Sequence, residues 1–283
     1  MVLGIAQDAG YPQAGMKESP AWEDSTLRRM AASLGIVDPA SGRRFLIEAT
    51  PDFKDQLYRL DRLAPVAGTP GLDGIFLTHG HVGHYTGLLH LGREAMGARG
   101  VPVYAMPRMD RLLRENAPWE LLVRLEAIEL RPLAAGEAVV LAPGLRVTPF
   151  PVPHRDEYTE TVGLLVEGPQ RALLFLPDID KWERWDETGE RIESWIARVD
   201  VAYLDGTFFA NGEVPGRTMA EIPHPFIEES LERFARLPAR ERRKIRFVHL
   251  NRTNPALFPE SAAARAIRDA GMRIAVELEI EPL

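Results

Sequence analysis

Eleven apolar runs, each five to eight residues long and edged by Gly, Pro, Asp or Asn, recur along the chain: VLGIA (2–6), RFLIEA (44–49), GIFLTH (74–79), VPVYAM (101–106), AVVLA (138–142), RVTPFPV (146–152), TVGLLVE (161–167), ALLFLPD (172–178), VAYLDG (201–206), IRFVHL (245–250) and RIAVELEI (273–280). Runs this short, rich in β-branched and aromatic residues, read as strands. Helical patterns lie between them. PDFKDQLYRLDRLA (51–64) starts behind Thr50 with Pro51 and puts Phe53, Leu57 and Leu60 on one face. YTGLLHLGREAMG, PRMDRLLREN, ERIESWIARV, PFIEESLERFARL and PESAAARAIRDA are the others. Strands in succession over 138–178, with helices on either side, predict an α/β fold of two facing sheets under outer helical layers. No linker, repeat or low-complexity tract interrupts the sequence, so 1–283 reads as one domain.

Composition removes several function classes. A net charge of -7 and a pI near 5.6 argue against a phosphate-backbone binder, and nucleic acid is not expected as a partner. With no cysteine, thiolate nucleophiles, disulfides and Cys-based zinc sites are excluded, and any metal must rest on His, Asp or Glu. No segment approaches the roughly 20 apolar residues of a membrane span, and MVLGIAQDAGYPQ lacks the pattern of a secretory signal. A cytoplasmic protein without membrane partners is expected.

Three of the seven histidines, His79, His81 and His84, fall within six positions directly after GIFL. They therefore sit on the loop at a strand's C-terminal end, or on the first turn of the helix after it. Imidazoles this close repel one another when protonated, whereas a divalent cation binds them neutral. His154 (PVPHRD), Asp178 (LFLPDID) and His249 (FVHLNRTNP) also stand at strand ends, where loops gather at one rim. A carboxylate leaving ALLFL is poorly placed unless a cation is beside it.

The stretch LTHGHVGHYTG resembles the metallo-β-lactamase superfamily signature H-x-H-x-D-H after a strand, and within it the coenzyme PQQ biosynthesis protein B group is the nearest likeness. LGIAQDAGYPQAG, LIEATPDFKDQL, YLDGTFF and HLNRTNP carry the resemblance along nearly the whole chain. It implies a four-layer αββα sandwich, two facing mixed β-sheets with outer helices. By position, His79, His81 and His154 would hold a first metal, Asp178 would bridge, and His84 with His249 would face a second. Gly83 stands where the signature has Asp. Three outcomes follow: a single metal, a weak second one, or a second one rescued by Asp8, Asp205 or His224. Asp8 leaves the first strand in AQDAGYPQ and Asp205 ends VAYLDG, so each also suits a partner role behind the histidines. His90, six residues past His84, reads as a packing or surface residue.

One or two divalent ions are expected, zinc first, with manganese or iron as alternatives. An open coordination position would make water the nucleophile at neutral pH, and the reaction class is hydrolysis of an ester-type substrate, a phosphodiester or other phosphoester first. Asp178, His224 and Asp205 are the candidate catalytic residues, with a His or Asp protonating the leaving group. Arg155, Arg252 and Arg217 are candidates to rim the pocket and favour an anionic small molecule, and Tyr85, Phe208, Phe209 and Trp185 candidates for its walls. Alternatives are an iron-dependent oxidoreductase, which the likeness to the PQQ group implies, a lactone or β-lactam hydrolase, and a degenerate member that binds metal or a small molecule without turnover. A homodimer is an expectation with no surface assigned to it.

Overall fold

A computed structural model describes residues 1–214, 216, 218–219 and 222–283, and the strands gather into two sheets. The first holds β1 (Val2–Gly4), β2 (Ser33–Val37), β3 (Arg44–Ile47), β4 (Gly74–Phe76), β5 (Val101–Ala105) and β6 (Ile128–Pro132), in that order. Its first three strands pair antiparallel and its last four parallel. The second holds β7 (Val139–Ala142), β8 (Leu145–Pro151), β9 (Val162–Glu167), β10 (Ala172–Leu176), β11 (Val201–Asp205), β12 (Ile245–Val248) and β13 (Arg273–Ile274). An antiparallel meander from β7 to β10 continues into a parallel half from β10 to β13.

Strands buried on both faces read as continuous apolar runs, and each face goes to a different layer. Phe45, Ile47 and Phe76 join Val147, Leu164 and Phe175 in the core between the sheets. Their neighbours Leu46 and Ile75 point the other way, onto α1 (Phe53–Leu63), which supplies Phe53, Leu57 and Leu60. One helical turn, α2 (Val82–Tyr85), follows β4, and α3 (Pro107–Glu115) and α4 (Trp119–Arg124) complete this outer layer with Met109, Leu113 and Leu122. Across the second sheet lie α5 (Trp182–Asp186), α6 (Ile192–Arg198), α7 (Ile227–Phe234), α8 (Ala239–Arg242) and α9 (Ala262–Asp269). Trp182, Trp185, Ile196, Phe234 and Ile267 are their buried contributions. The result is the αββα sandwich expected from the sequence. Among the described residues no helix is long and apolar enough to cross a membrane.

Three local readings change. β2 and β6 lie outside the eleven runs, and in β6 polar Glu129 and Arg131 break the apolar pattern. RIAVELEI pairs in β13 only over Arg273–Ile274. Beyond it the chain crosses to the other sheet, where Leu278 N–H donates to Val2 O (2.7 Å) and Val2 N–H to Glu279 O (3.0 Å). The pattern YTGLLHLGREAMG is a 3₁₀ segment, Thr86–Leu91, behind the short turn of α2.

Topology fixes where chemistry can occur. β3, β4, β10, β11 and β12 all lie in parallel pairings, and β8 shares the direction of β10 because both run antiparallel to β9. Side chains just beyond their C-terminal ends therefore meet at a common rim, as ligand sites in open α/β sheets do. A bridge from Ala6 to Leu250 brings the chain leaving β1 to the end of β12.

Arg44 braces the opposite end of β3. It is fully buried, pairs with Asp61 (2.7 Å), and donates to the carbonyls of Gly71 (2.8 Å), Ala64 (2.8 Å) and Pro70 (3.3 Å). Arg44→Met leaves those carbonyls without donors, so a loss of about 2–4 kcal/mol in urea unfolding is expected. A loss under about 0.5 kcal/mol would show that water reaches them.

Candidate metal centre

β4 delivers His79 and His81 on extended backbone, and α2 then turns His84 back beside them, its N–H donating to His81 O (3.0 Å). His154 follows β8, Asp178 follows β10 and Asp205 ends β11. His249, directly after β12, takes a left-handed φ of 62°. All seven of the side chains named so far except His81 are buried.

They converge on Asp178. Its Oδ2 lies 3.1 Å from His84 Nε2, 3.2 Å from His249 Nε2 and 4.0 Å from His79 Nε2. Its Oδ1 lies 3.6 Å from His154 Nε2 and 3.8 Å from His224 Nδ1. Four overlapping groups have ligand atoms within 4.8 Å of one another: His79–His81–His154, Asp8–His84–His249, His79–His84–Asp178 and His154–Asp178–His224. Ligands on arms of about 2.0–2.1 Å around a tetrahedral ion lie about 3.3 Å apart, so the spacing suits a metal.

Hydrogen bonding gives the stronger test of fit. His84 Nε2, His154 Nε2, His249 Nε2 and Asp178 Oδ2 are buried with no hydrogen-bond partner, although several stand near 3 Å from one another. Buried polar groups are rarely left so. Buried donor atoms crowded together in this way fit the sharing of an ion. At His79, Thr78 Oγ1 donates to Glu48 (2.5 Å) and so accepts from His79 Nδ1 (2.9 Å), which leaves Nε2 as an acceptor 2.8 Å from His81 Nδ1.

A second ring of groups stands behind the first, where partners of metal-binding imidazoles are placed. Glu48 stands 3.3 Å from His84 Nδ1, Asp180 3.3 Å from His154 Nδ1, and Glu157 3.3 Å from His81 Nε2. Thr207 Oγ1 donates to Asp205 Oδ1 (2.7 Å) and accepts from His249 Nδ1 (3.0 Å). None of Glu48, Thr78, Glu157, Asp180 and Thr207 was singled out from the sequence. Glu48 carried a signal, since a carboxylate closing the apolar run RFLI needs a reason to be buried.

Charge inside the site is balanced among these groups. Burial alone would raise Asp178, yet His249 and His84 hold it well below the carboxylate range. Burial would lower His84, but Glu48, Asp178 and Asp8 lift it well above an ordinary imidazole. His79 and His81 are pushed down, chiefly by burial, and stay neutral for a metal.

The "Beta-lactamase superfamily domain" family matches residues 43–249. The coenzyme PQQ synthesis protein B of Methylobacterium nodulans is 30% identical over 300 residues, covering 96% of this chain and 95% of its own. The chain belongs to the β-lactamase superfamily, in its PQQ synthesis protein B-like branch. The protein of the same description from Xanthomonas euvesicatoria pv. vesicatoria is also 30% identical, over 94% of both chains. Among solved structures, the zinc-bound PqqB of Methylobacterium extorquens superposes with a TM-score of 0.80 at 25% identity, covering 97% of this chain and 96% of its own. A diphosphatase of the PhnP family shares the fold, with a TM-score of 0.67 at 23% identity over 97% and 92% of the two chains.

Within this β-lactamase superfamily member the other expected site residues divide. His224 joins the cluster, its Nδ1 2.7 Å from Asp205 Oδ2. Asp205 is saturated by that contact and by the N–H groups of Ile179 (3.1 Å) and Thr207 (2.9 Å), so it orients His224 and does not replace a ligand. Arg155 is exposed near the rim, its charge felt at His81, Glu157 and His224. Arg252 is exposed on the turn after His249 and forms no ion pair among the described residues. Arg217 lies outside the described residues. Tyr85 is corrected: one position along α2 from His84 it faces the other way, its ring tilted 44° against Trp119 (4.8 Å) in the outer core. Trp185 is likewise core. His90 stacks on Phe53 (5.8 Å, 9°), the packing role expected of it.

Proposed function

We propose that the protein is a metal-dependent hydrolase acting on an anionic ester, a phosphodiester or other phosphoester. The observation that carries the reading is the pair His224 and Asp205, fully buried beside the bridging position, with Asp178 Oδ1 3.8 Å from the His224 ring. Burial would lower the imidazole, but Asp205 and Asp178 raise it above its ordinary value. In this reading His224 delivers a proton to the departing oxygen, while Asp205 holds Nδ1 and steadies the ring. His79, His81, His154, His84, His249 and Asp178 would hold the ions. When bound, such ions supply Lewis acidity and a nucleophile drawn from water at neutral pH. Arg155 adds positive charge at the rim, where an anionic substrate would enter.

The whole-length likeness to coenzyme PQQ synthesis proteins supports a role in such a synthesis, and a second reading is oxidative chemistry there, since the same imidazoles and carboxylate suit iron as well as zinc. Metal analysis with parallel assays separates the two. Zinc or manganese with turnover of an aryl phosphodiester supports the first; iron with oxygen uptake and no ester cleavage supports the second. In the first case His224→Asn is expected to lower kcat about 10²–10³-fold while metal content stays unchanged. Wild-type turnover in that variant removes the proposed acid.

A further inference from the structure

The missing carboxylate of the His-rich motif is not missing from the site. A Cβ built on Gly83 would lie 2.7 Å from Asp8 Cβ, and nearer still to Asp8 Cα and Oδ1. The space that a side chain at 83 would fill is therefore taken by a residue from the opposite end of the sheet.

The chain leaving β1 is carried there by its own bonds. Leu250 N–H donates to Ile5 O (2.9 Å) and Gln7 N–H to Leu250 O (2.8 Å), pinning residues 5–7 against the end of β12. Asp8 then adopts a positive φ of 29°, a conformation an aspartate tolerates better than most side chains, and the tight turn closes with Gly10 N–H on Gln7 O (2.9 Å). This brings Asp8 Oδ1 to 3.4 Å from His84 Nε2 and 3.8 Å from His249 Nε2, both of them nitrogens buried without hydrogen-bond partners. With Asp178 Oδ2 at 3.1 and 3.2 Å from the same nitrogens, the separations cluster around the roughly 3.3 Å edge of a tetrahedral site.

We infer that Asp8, His84, His249 and Asp178 form a complete second metal position, with Asp8 supplying the carboxylate that the motif lacks at Gly83. Competing carboxylates are committed elsewhere. Asp205 is saturated by His224, Thr207 and Ile179, and Glu48 faces the far nitrogen of His84. The sequence consequence is a coupled pair: glycine at 83 is the condition for aspartate at 8. The inference rests on the metal centre, not on the reaction assigned to it.

The test is metal stoichiometry, by elemental analysis and native mass spectrometry after dialysis against zinc. Wild type is expected to hold two ions per chain; Asp8→Asn, which keeps the shape, and Asp8→Gly, which relaxes the backbone, are each expected to hold one. His79→Asn should also lose one ion, from the other position, and the double variant with Asp8→Asn should lose both. Two ions in folded Asp8→Asn, or one ion in wild type that survives it, overturn the assignment. No ion in wild type overturns the metal centre as well, whatever the activity assays give.

Discussion

Asp178→Asn is expected to strip the protein of most of its metal and of at least about 10³-fold in phosphodiester turnover, about 4 kcal/mol of transition-state stabilisation. Asp178 Oδ2 faces His84 and His249 while Oδ1 faces His154, so one carboxylate serves both halves of the centre. Asparagine keeps the volume but removes the charge that offsets the cations. Stability should follow the metal. An ion present at a thousand times its dissociation constant adds about 4 kcal/mol to folding, and each kcal/mol moves the melting temperature of a chain this size by about 2–4 °C. A chelator is therefore expected to lower the wild-type melting temperature by about 10 °C and to leave Asp178→Asn almost where it was. Equal chelator shifts in the two proteins would show that the ions do not depend on this residue.

The distant ligands were legible because each stands just past an apolar run. Once β8, β10 and β12 are read as strands pointing one way, His154, Asp178 and His249 have a single rim to meet at. What the sequence concealed depends on register between strands. Glu48 reaches His84 because β3 lies beside β4, and Thr207 reaches His249 because β11 lies beside β12. No local pattern encodes either adjacency. Tyr85 failed for the opposite reason: its proximity to His84 in sequence suggested a shared pocket, but a helical turn separates neighbouring side chains by about 100°. Asp8, Asp205 and His224 were indistinguishable as substitutes for the residue absent at 83, since choosing among them requires knowing which already have partners.

That choice leads to an expectation opposite to the one the motif alone suggests. Gly83→Asp restores the signature H-x-H-x-D-H, and on sequence grounds it should strengthen the second metal position. In this fold it should weaken it. Any Cβ at 83 meets Asp8, backbone included, so the strand-end turn at 6–10 must move or α2 must shift. Both are held: the turn by its bonds to Leu250, and α2 by His84 O, which accepts from Ala49 N–H (2.9 Å). Gly83→Ala, the smallest intrusion, is expected to cost about 3 kcal/mol, at the upper end for overpacking, and to lower the melting temperature by about 6–10 °C. Gly83→Asp adds a second carboxylate against Asp8, so like charges are forced together where the wild type keeps one. Both variants should fall from two bound zinc ions to one, with His79, His81 and His154 retaining theirs. Wild-type melting together with two ions in Gly83→Asp would mean that the turn bearing Asp8 yields freely, and that its place over Gly83 is a convenience of packing with no part in holding metal.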